Sequence, residues 1–326
     1  MLIIQQTLTN PYFNIASEEY LLMNSSEDFF IIYCNEPSII VGKHQNAIAE
    51  INLEFVRERG LTVVRRLSGG GTVYHDRGNL NYTFITNGSE GNLVDFKKHT
   101  QPIIDVLQTL GVDARIGGKN DIRVSGKKIS GNAEHLYKNR VLHHGTLLFN
   151  ANLDELNKAL QIDPNRYTDK AVKSIRSQVA NITEFLKKSL TIEEFALLIQ
   201  NHIKELFPNS SEYQIAHGDI SSIADLVKTK YSTWEWNYGY SPTYTLNKQL
   251  SIGNKMLSIQ INVDRGIISQ VTFNGDFLIK SRITVLEDIL LGCQHEVNEM
   301  TSKLSLVDLN DFIPGIKLEV LLKGFF

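Results

Sequence analysis

The sequence predicts a mixed α+β protein with a large N-terminal domain over residues 1–245 and a small α+β domain over residues 246–326. Three observations predict it. Strand-like apolar runs dominate the first part, with helical patterns interspersed irregularly rather than in the strict alternation of a doubly wound parallel sheet. Composition then shifts at residues 231–244, where Trp234, Trp236 and several tyrosines cluster with Gly239 and Pro242. Beyond that cluster a hairpin pattern is followed by two helical patterns, enough for a unit of its own. The boundary is placed near Leu246.

Taken in order, residues 14–22 read as a short helix, with Ile15, Ala16 and the run 20–22 supplying apolar positions. The short apolar runs 29–33, 38–41, 61–64 and 81–86 are bounded by Asn, Pro and Gly, which favours strands. Residues 53–59 form a helix between two of them, and a second helix over 99–110 stops at Gly111, a normal terminator. Alternation over 121–132 around Ser125-Gly126 predicts a hairpin, and 141–149 a further strand. Over 191–206, Ile192, Phe195, Ala196, Ile199, Ile203 and Leu206 fall on one helical face, and Thr191 with Glu194 makes a capping box. In the C-terminal part Leu257, Ile259, Ile261 and Val263 alternate, Arg265-Gly266 turns, and Ile267, Val271 and Phe273 continue. Helical patterns follow at 285–291 and 295–304.

Composition narrows the function class. The 326 residues are 42% hydrophobic and 21% charged, with a net charge of −3, so nothing global points to nucleic acid or an anionic membrane. Only two cysteines occur, Cys34 and Cys293, far apart in sequence. Neither a disulfide framework nor a zinc cluster is expected, and a reducing, cytoplasmic location fits. The first residues lack a signal-peptide pattern, and no run approaches the roughly 20 apolar residues of a membrane span. A monomer is the default expectation.

Three stretches carry chemistry. In the first, Arg65 and Arg66 close a strand, Ser68-Gly69-Gly70-Gly71 follows, and Thr72-Val73-Tyr74-His75-Asp76 returns to strand. Consecutive glycines let backbone N–H groups approach an anion, and arginine binds carboxylate or phosphate in a planar, bidentate way. The pattern describes an anion cradle; the alternative is a flexible loop with solvated arginines. No Walker or Rossmann glycine motif is present. The second stretch runs from Gly117-Gly118-Lys119-Asn120-Asp121-Ile122 to Gly126-Lys127-Lys128-Ile129-Ser130-Gly131-Asn132-Ala133. A strand displays Lys127 and Lys128 on opposite faces. An inward lysine beside the cradle would help two anions meet, whereas an outward pair is an ordinary basic turn. Lys119 is a further solvated charge. The third stretch is Leu142-His143-His144-Gly145-Thr146, whose adjacent histidines face opposite sides and form no metal pair by themselves. Cys34 lies outside all three and reads as a small buried hydrophobe.

With these stretches in view the chain resembles the lipoate–protein ligase A family of the biotin/lipoate ligase and octanoyltransferase superfamily. The resemblance rests on residues 65–81, 119–122, 128–133 and 144–148. Two further pieces, 173–181 and 234–242, look familiar, so that landmarks span most of residues 10–245 in family order. It implies a large mixed-sheet catalytic domain binding lipoate and ATP, and a small accessory domain that moves after adenylation. It also implies two steps: lipoate and Mg-ATP give lipoyl-AMP and pyrophosphate, then an acceptor lysine takes the lipoyl group and AMP leaves. Acceptors would be E2 subunits of 2-oxoacid dehydrogenases or the glycine-cleavage H protein. By the resemblance, Lys128 is the essential lysine bridging carboxylate and α-phosphate. Arg66, Gly71, Thr72, Val73, Tyr74, Asn79 and Asp121 belong to the nucleotide side. Ser68, Gly69, Gly70, His75 and, more weakly, His144 line the lipoyl side. No resident protein-bound metal is expected.

The rivals are an ATP-independent octanoyl or lipoyl transferase and a non-catalytic lipoate-binding protein. The first is disfavoured because neither cysteine lies in a motif, the second because Lys128 is present. A biotin ligase fits less well, since its glycine loop normally differs from the Ser68–His75 run.

Overall fold

Helix entry points follow from local chemistry. Asn10 caps the helix Pro11–Asn24 by accepting from Phe13 N at 3.1 Å, with proline at the first helical position where no N–H is needed. Asp95 caps Phe96–Thr109 through Lys98 N, and Thr191 and Glu194 close the anticipated capping box on Ile192–Leu206. The computed structural model describes residues 1–88, 94–118, 120–163, 165–278 and 280–326. Lys119 lies outside the described residues.

The chain forms two compact units. The first comprises Met1–Lys43, Phe55–Leu160 and Ser174–Thr233. Its eight-stranded sheet runs, in spatial order, Ser211–Glu212, Leu2–Gln5, Phe29–Cys34, Asn79–Asn87, Arg140–Leu148, Lys127–Tyr137, Asp121–Val124 and Arg115–Gly117. The first three strands are parallel and the rest pair antiparallel, so the sheet is mixed. A separate three-stranded sheet sets Ser38–Val41 between Thr62–Arg65 (parallel) and Val73–His75 (antiparallel). It carries the two ends of the glycine stretch.

Phe30, Ile32, Phe84 and Leu147 on one sheet face meet Ile103 and Leu107 of one helix and Phe195, Ile199 and Ile203 of another. Each such side chain contributes about 1.5–3 kcal/mol on burial. The helix Pro11–Asn24 packs against the sheet strands Asn79–Asn87 and Arg140–Leu148. Alternation along Arg140–Leu148 therefore sends His143 toward Glu134 and His99, and His144 toward Glu18 of that helix.

The second unit gathers His44–Glu54, Gln161–Lys173 and Trp234–Phe326. Its four-stranded antiparallel sheet has the order Tyr167–Asp169, Tyr244–Ile252, Lys255–Asp264, Ile267–Asn274. The helices Lys280–Leu290, Val297–Leu304 and Leu318–Leu322 complete it. The anticipated Arg265-Gly266 turn is present, with φ of 48° and 75°, the left-handed pair a tight hairpin requires. The strand Tyr244–Ile252, which contains Leu246, has no counterpart in the sequence reading. Its inward stripe is interrupted by Lys248, whose ammonium donates to the Phe326 carbonyl and is pushed down to about 8 by burial.

No helix among the described residues is long and apolar enough to cross a membrane. Burial holds His75 down to about 3 and His295 down to about 4, against an ordinary value of 6.5. Unfolding releases both imidazoles to take up protons below about 6.5, so the stabilisation is complete above that pH and is lost as pH falls toward 4. Urea unfolding is expected to show stability falling by about 1.4 kcal/mol per pH unit for each histidine between pH 6 and 4.5. A flat profile over that window would contradict the burial of these rings.

Candidate active site

The glycine stretch is held open by Arg66. Its guanidinium is buried and donates to Ser68 Oγ (3.0 Å), Ile40 O (3.1 Å), Gly69 O (2.6 Å) and Gly71 O (2.8 Å). Burial lowers it to about 10, with Glu18 and Tyr33 opposing the shift. The sequence reading places Arg66 beside phosphates; here its donors shape the loop that would receive them. Arg65 does the same for the preceding turn, donating to Gly42 O and Lys43 O. Gly70 has φ +88°, and a Cβ there would lie 3.2 Å from Arg66 NH2. Thr72 N donates to Ser174 Oγ at 3.0 Å, and Ser174 sits against Gly71. Val73 and Tyr74 lie in strand opposite Ile40 and Ile39, with the Tyr74 hydroxyl anchored on Glu155.

Lys128 and Asp121 come from the anticipated hairpin. Asp121 faces Gly131 across it, and an irregularity between Ile122 and Arg123 makes Ile129 the extra residue of the longer strand. Such a bulge re-aims neighbouring side chains. Lys127 is half-buried, its side chain 42% exposed and 3.7 Å from Glu184. Lys128 is shielded, its ammonium near the Gly131 Cα, and burial lowers it, with Asp121 opposing and Arg123 and Arg66 adding to the shift. Among the described residues its Nζ has no hydrogen-bond acceptor. Asp121 Oδ2 accepts from Arg123, while its buried Oδ1 has no partner among the described residues.

The hairpin is fixed from behind by Tyr82, Asn132, Asn120 and Gly145. Tyr82 donates to Asn132 Oδ1 at 2.5 Å, and Asn132 and Asn120 exchange backbone and side-chain bonds. Gly145 lies opposite Asn132, and a Cβ there would fall 2.1 Å from Asn132 Oδ1 and 2.5 Å from the Tyr82 ring. Gly145→Ala is therefore expected to cost on the order of 3 kcal/mol in urea unfolding. Unchanged stability would mean that the lock gives way freely.

A third group of residues forms a buried relay. Glu18 Oε2 accepts from His144 Nδ1 at 2.8 Å, and Glu18 Oε1 accepts from Tyr33 (2.9 Å) and Thr83 (2.5 Å). Since a carboxylate only accepts, Nδ1 carries the hydrogen and Nε2 faces Ser68 Oγ, 2.5 Å away. Burial alone would raise Glu18, but His144, Thr83 and Tyr33 together hold it below the ordinary carboxylate range. His75 is buried, with Nδ1 on Asn35 and Nε2 unpartnered among the described residues, and the charges of Arg66 and His144 add to the burial that lowers it. Asn79 donates to Asn81 and keeps a buried Oδ1 without a partner among the described residues. Asp76 is structural, accepting from Gly78 N and Asn152 N. Glu18, Tyr33 and Thr83 escaped the sequence reading. The available signal was Glu18 standing on the same helical stripe as Ile15 and Leu22.

Two networks thus meet at the glycine loop, one anionic and buried, the other presenting a lysine. The family model for the lipoyl protein ligase A/B catalytic domain matches residues 10–204, and that for the bacterial lipoate protein ligase C-terminus matches 241–325. The chain is 42% identical to lipoate–protein ligase 1 of Staphylococcus aureus over 98% of both chains. It is 40% identical to lipoate-protein ligase LplJ of Bacillus subtilis, again over 98% of both.

The chain belongs to the lipoyl protein ligase family.

Solved structures of this family agree in fold. A lipoate-protein ligase A bound with ATP matches with TM-score 0.63 and 27% identity, over 74% of this chain and 100% of that one. P. falciparum LipL1 in complex with lipoate matches with TM-score 0.62 and 25% identity over 94% of each chain. The bi-partite ligase of Thermoplasma acidophilum, studied with its E2 lipoyl domain, matches with TM-score 0.64 and 26% identity, over 73% of this chain and 96% of that one. In lipoyl protein ligase terms the anticipated α+β class, with a large mixed-sheet part and a smaller C-terminal sheet unit, is the one observed.

Proposed function

We propose that this ligase activates lipoate with ATP and joins it to a lysine of a lipoyl-acceptor protein. The observation that carries the reading is Lys128, shielded, without an acceptor among the described residues, and in the field of Asp121 and Arg66. In the first step a carboxylate oxygen of lipoate attacks the α-phosphorus of ATP. The bond to the β-phosphate oxygen breaks, and pyrophosphate carries away the electron pair. Two anions must meet for this, and Lys128 lowers that cost by facing both oxygens as charge builds on the phosphorus. In the second step the acceptor amine attacks the activated carbonyl, the C–N bond forms, AMP leaves, and the amine loses its proton.

The lipoyl side is assigned to Ser68, Gly69, Gly70, His75 and His144, and the nucleotide side to Arg66, Gly71, Thr72, Val73, Tyr74, Asn79 and Asp121. Magnesium fits Asp121 Oδ1, which has no partner among the described residues, and would screen the phosphate charges when bound with ATP. The chemistry is assigned to residues 1–245 and an accessory part to 246–326. Acceptors are E2 lipoyl domains and the glycine-cleavage H protein, and both free cysteines suit a cytoplasmic setting. A cysteine-based transferase is disfavoured because burial pushes the Cys34 thiol up to about 11 and Cys293 is buried. Lipoate-dependent exchange of labelled pyrophosphate into ATP tests the first step. Exchange without lipoate, or none with it, would contradict it.

A further inference from the structure

On the sheet face turned away from Ser68, three side chains that the ligase chemistry does not use converge. His99 comes from the helix Phe96–Thr109, and Glu134 and His143 stand directly opposite each other on neighbouring strands. Glu134 Oε1 lies 2.8 Å from His143 Nδ1 and 3.3 Å from His99 Nδ1, and one donor atom from each residue lies within 4.8 Å of the others. Side-chain exposure is 4%, 3% and 0% for His99, Glu134 and His143. The rings of Phe84, Phe96 and Tyr82 pack around them.

A carboxylate in such surroundings calls for a full positive partner. Among the described residues no lysine or arginine reaches Glu134; its partners are the two imidazoles, and burial lowers that of His143 to about 4, so that it is neutral near pH 7. Among the described residues the second oxygen of Glu134, Oε2, and His143 Nε2 are buried without a hydrogen-bond partner. We propose that His99, Glu134 and His143 bind one divalent first-row metal ion, zinc by ligand type, which pins the helix Phe96–Thr109 to the sheet. Two imidazoles and a carboxylate are a zinc donor set, and tetrahedral zinc places its ligand atoms roughly 3.3 Å apart. Two of the separations already match to within half an ångström. The carbonyl of Asp95 lies 3.2 Å from His99 Nδ1, and Thr86 Oγ1 lies 3.4 Å from His99 Nε2 as an orienting contact. The sequence reading expects no metal because His143 and His144 diverge; the site draws its other ligands from distant elements.

The full chain, stripped with chelator, is titrated with Zn2+ alone by calorimetry and by thermal melting. One equivalent bound with a rise of several degrees in Tm is expected, with at least tenfold weaker binding in Glu134→Gln, which keeps the shape and one acceptor. No stoichiometric binding, or equal binding by a folded Glu134→Gln protein, would overturn the site. Should that variant not fold, zinc-edge X-ray absorption on the wild type decides. Two imidazoles with oxygen ligands support the site, and any other set refutes it.

Discussion

Lys128→Ala is expected to lower lipoyl-adenylate formation by at least about 100- to 1000-fold, the range for deleting one charge-stabilising group at a reacting centre. The fold should survive. The ammonium makes no hydrogen bond among the described residues and its charge is disfavoured by burial, so removing it relieves as much as it costs. Lys127→Ala is the internal control, because Lys127 points outward to Glu184 at 3.7 Å and exposed pairs contribute little. Single-turnover adenylate formation with both variants checks the assignment. Near-normal activity of a folded Lys128→Ala protein, with loss in Lys127→Ala, would move the role one residue back.

Glu18→Ala should have the largest effect on stability. It leaves His144 Nδ1, Tyr33 and Thr83 with buried donors and no acceptor. Removing one member of such a buried network costs about 3–5 kcal/mol. The loss should also reach the substrate side, because His144 faces Ser68 and Ser68 accepts from Arg66, which holds the glycine loop. Glu18→Gln keeps the volume but sets an amide against the network, so a milder loss is expected, with the KM for lipoate rising more than that for ATP. Equal changes in both KM values would mean that the relay acts on the whole loop rather than on the lipoyl side.

How much of this was legible in the sequence depends on the range of the interaction. The hairpin carrying Asp121 and Lys128 was readable because Ser125 and Gly126, with φ of 49° and 80°, make a local turn between alternating strands. The capping box at Thr191 and the stop at Gly111 were local too. The relay was not, since Glu18 and His144 stand 126 positions apart and meet only because a helix packs on the sheet. The bulge at Ile129 was equally hidden, because strand alternation gives no sign of an inserted residue. The strand Tyr244–Ile252 was masked by Lys248 at an inward position, and the short strand Tyr167–Asp169 finds its partner far along the chain. The glycine stretch reads as a candidate anion cradle, but no local signal shows that Arg66 spends its donors on the loop's own carbonyls.

The central claim is ATP-driven transfer of lipoate to a protein lysine. Its most direct test is incubation of the purified chain with lipoate, Mg-ATP and an apo lipoyl domain, followed by the mass of the acceptor. A gain of one lipoyl group that disappears when ATP is left out is expected. A gain that persists without ATP from an acyl-carrier donor, or the absence of both adduct and lipoyl-adenylate, would contradict it.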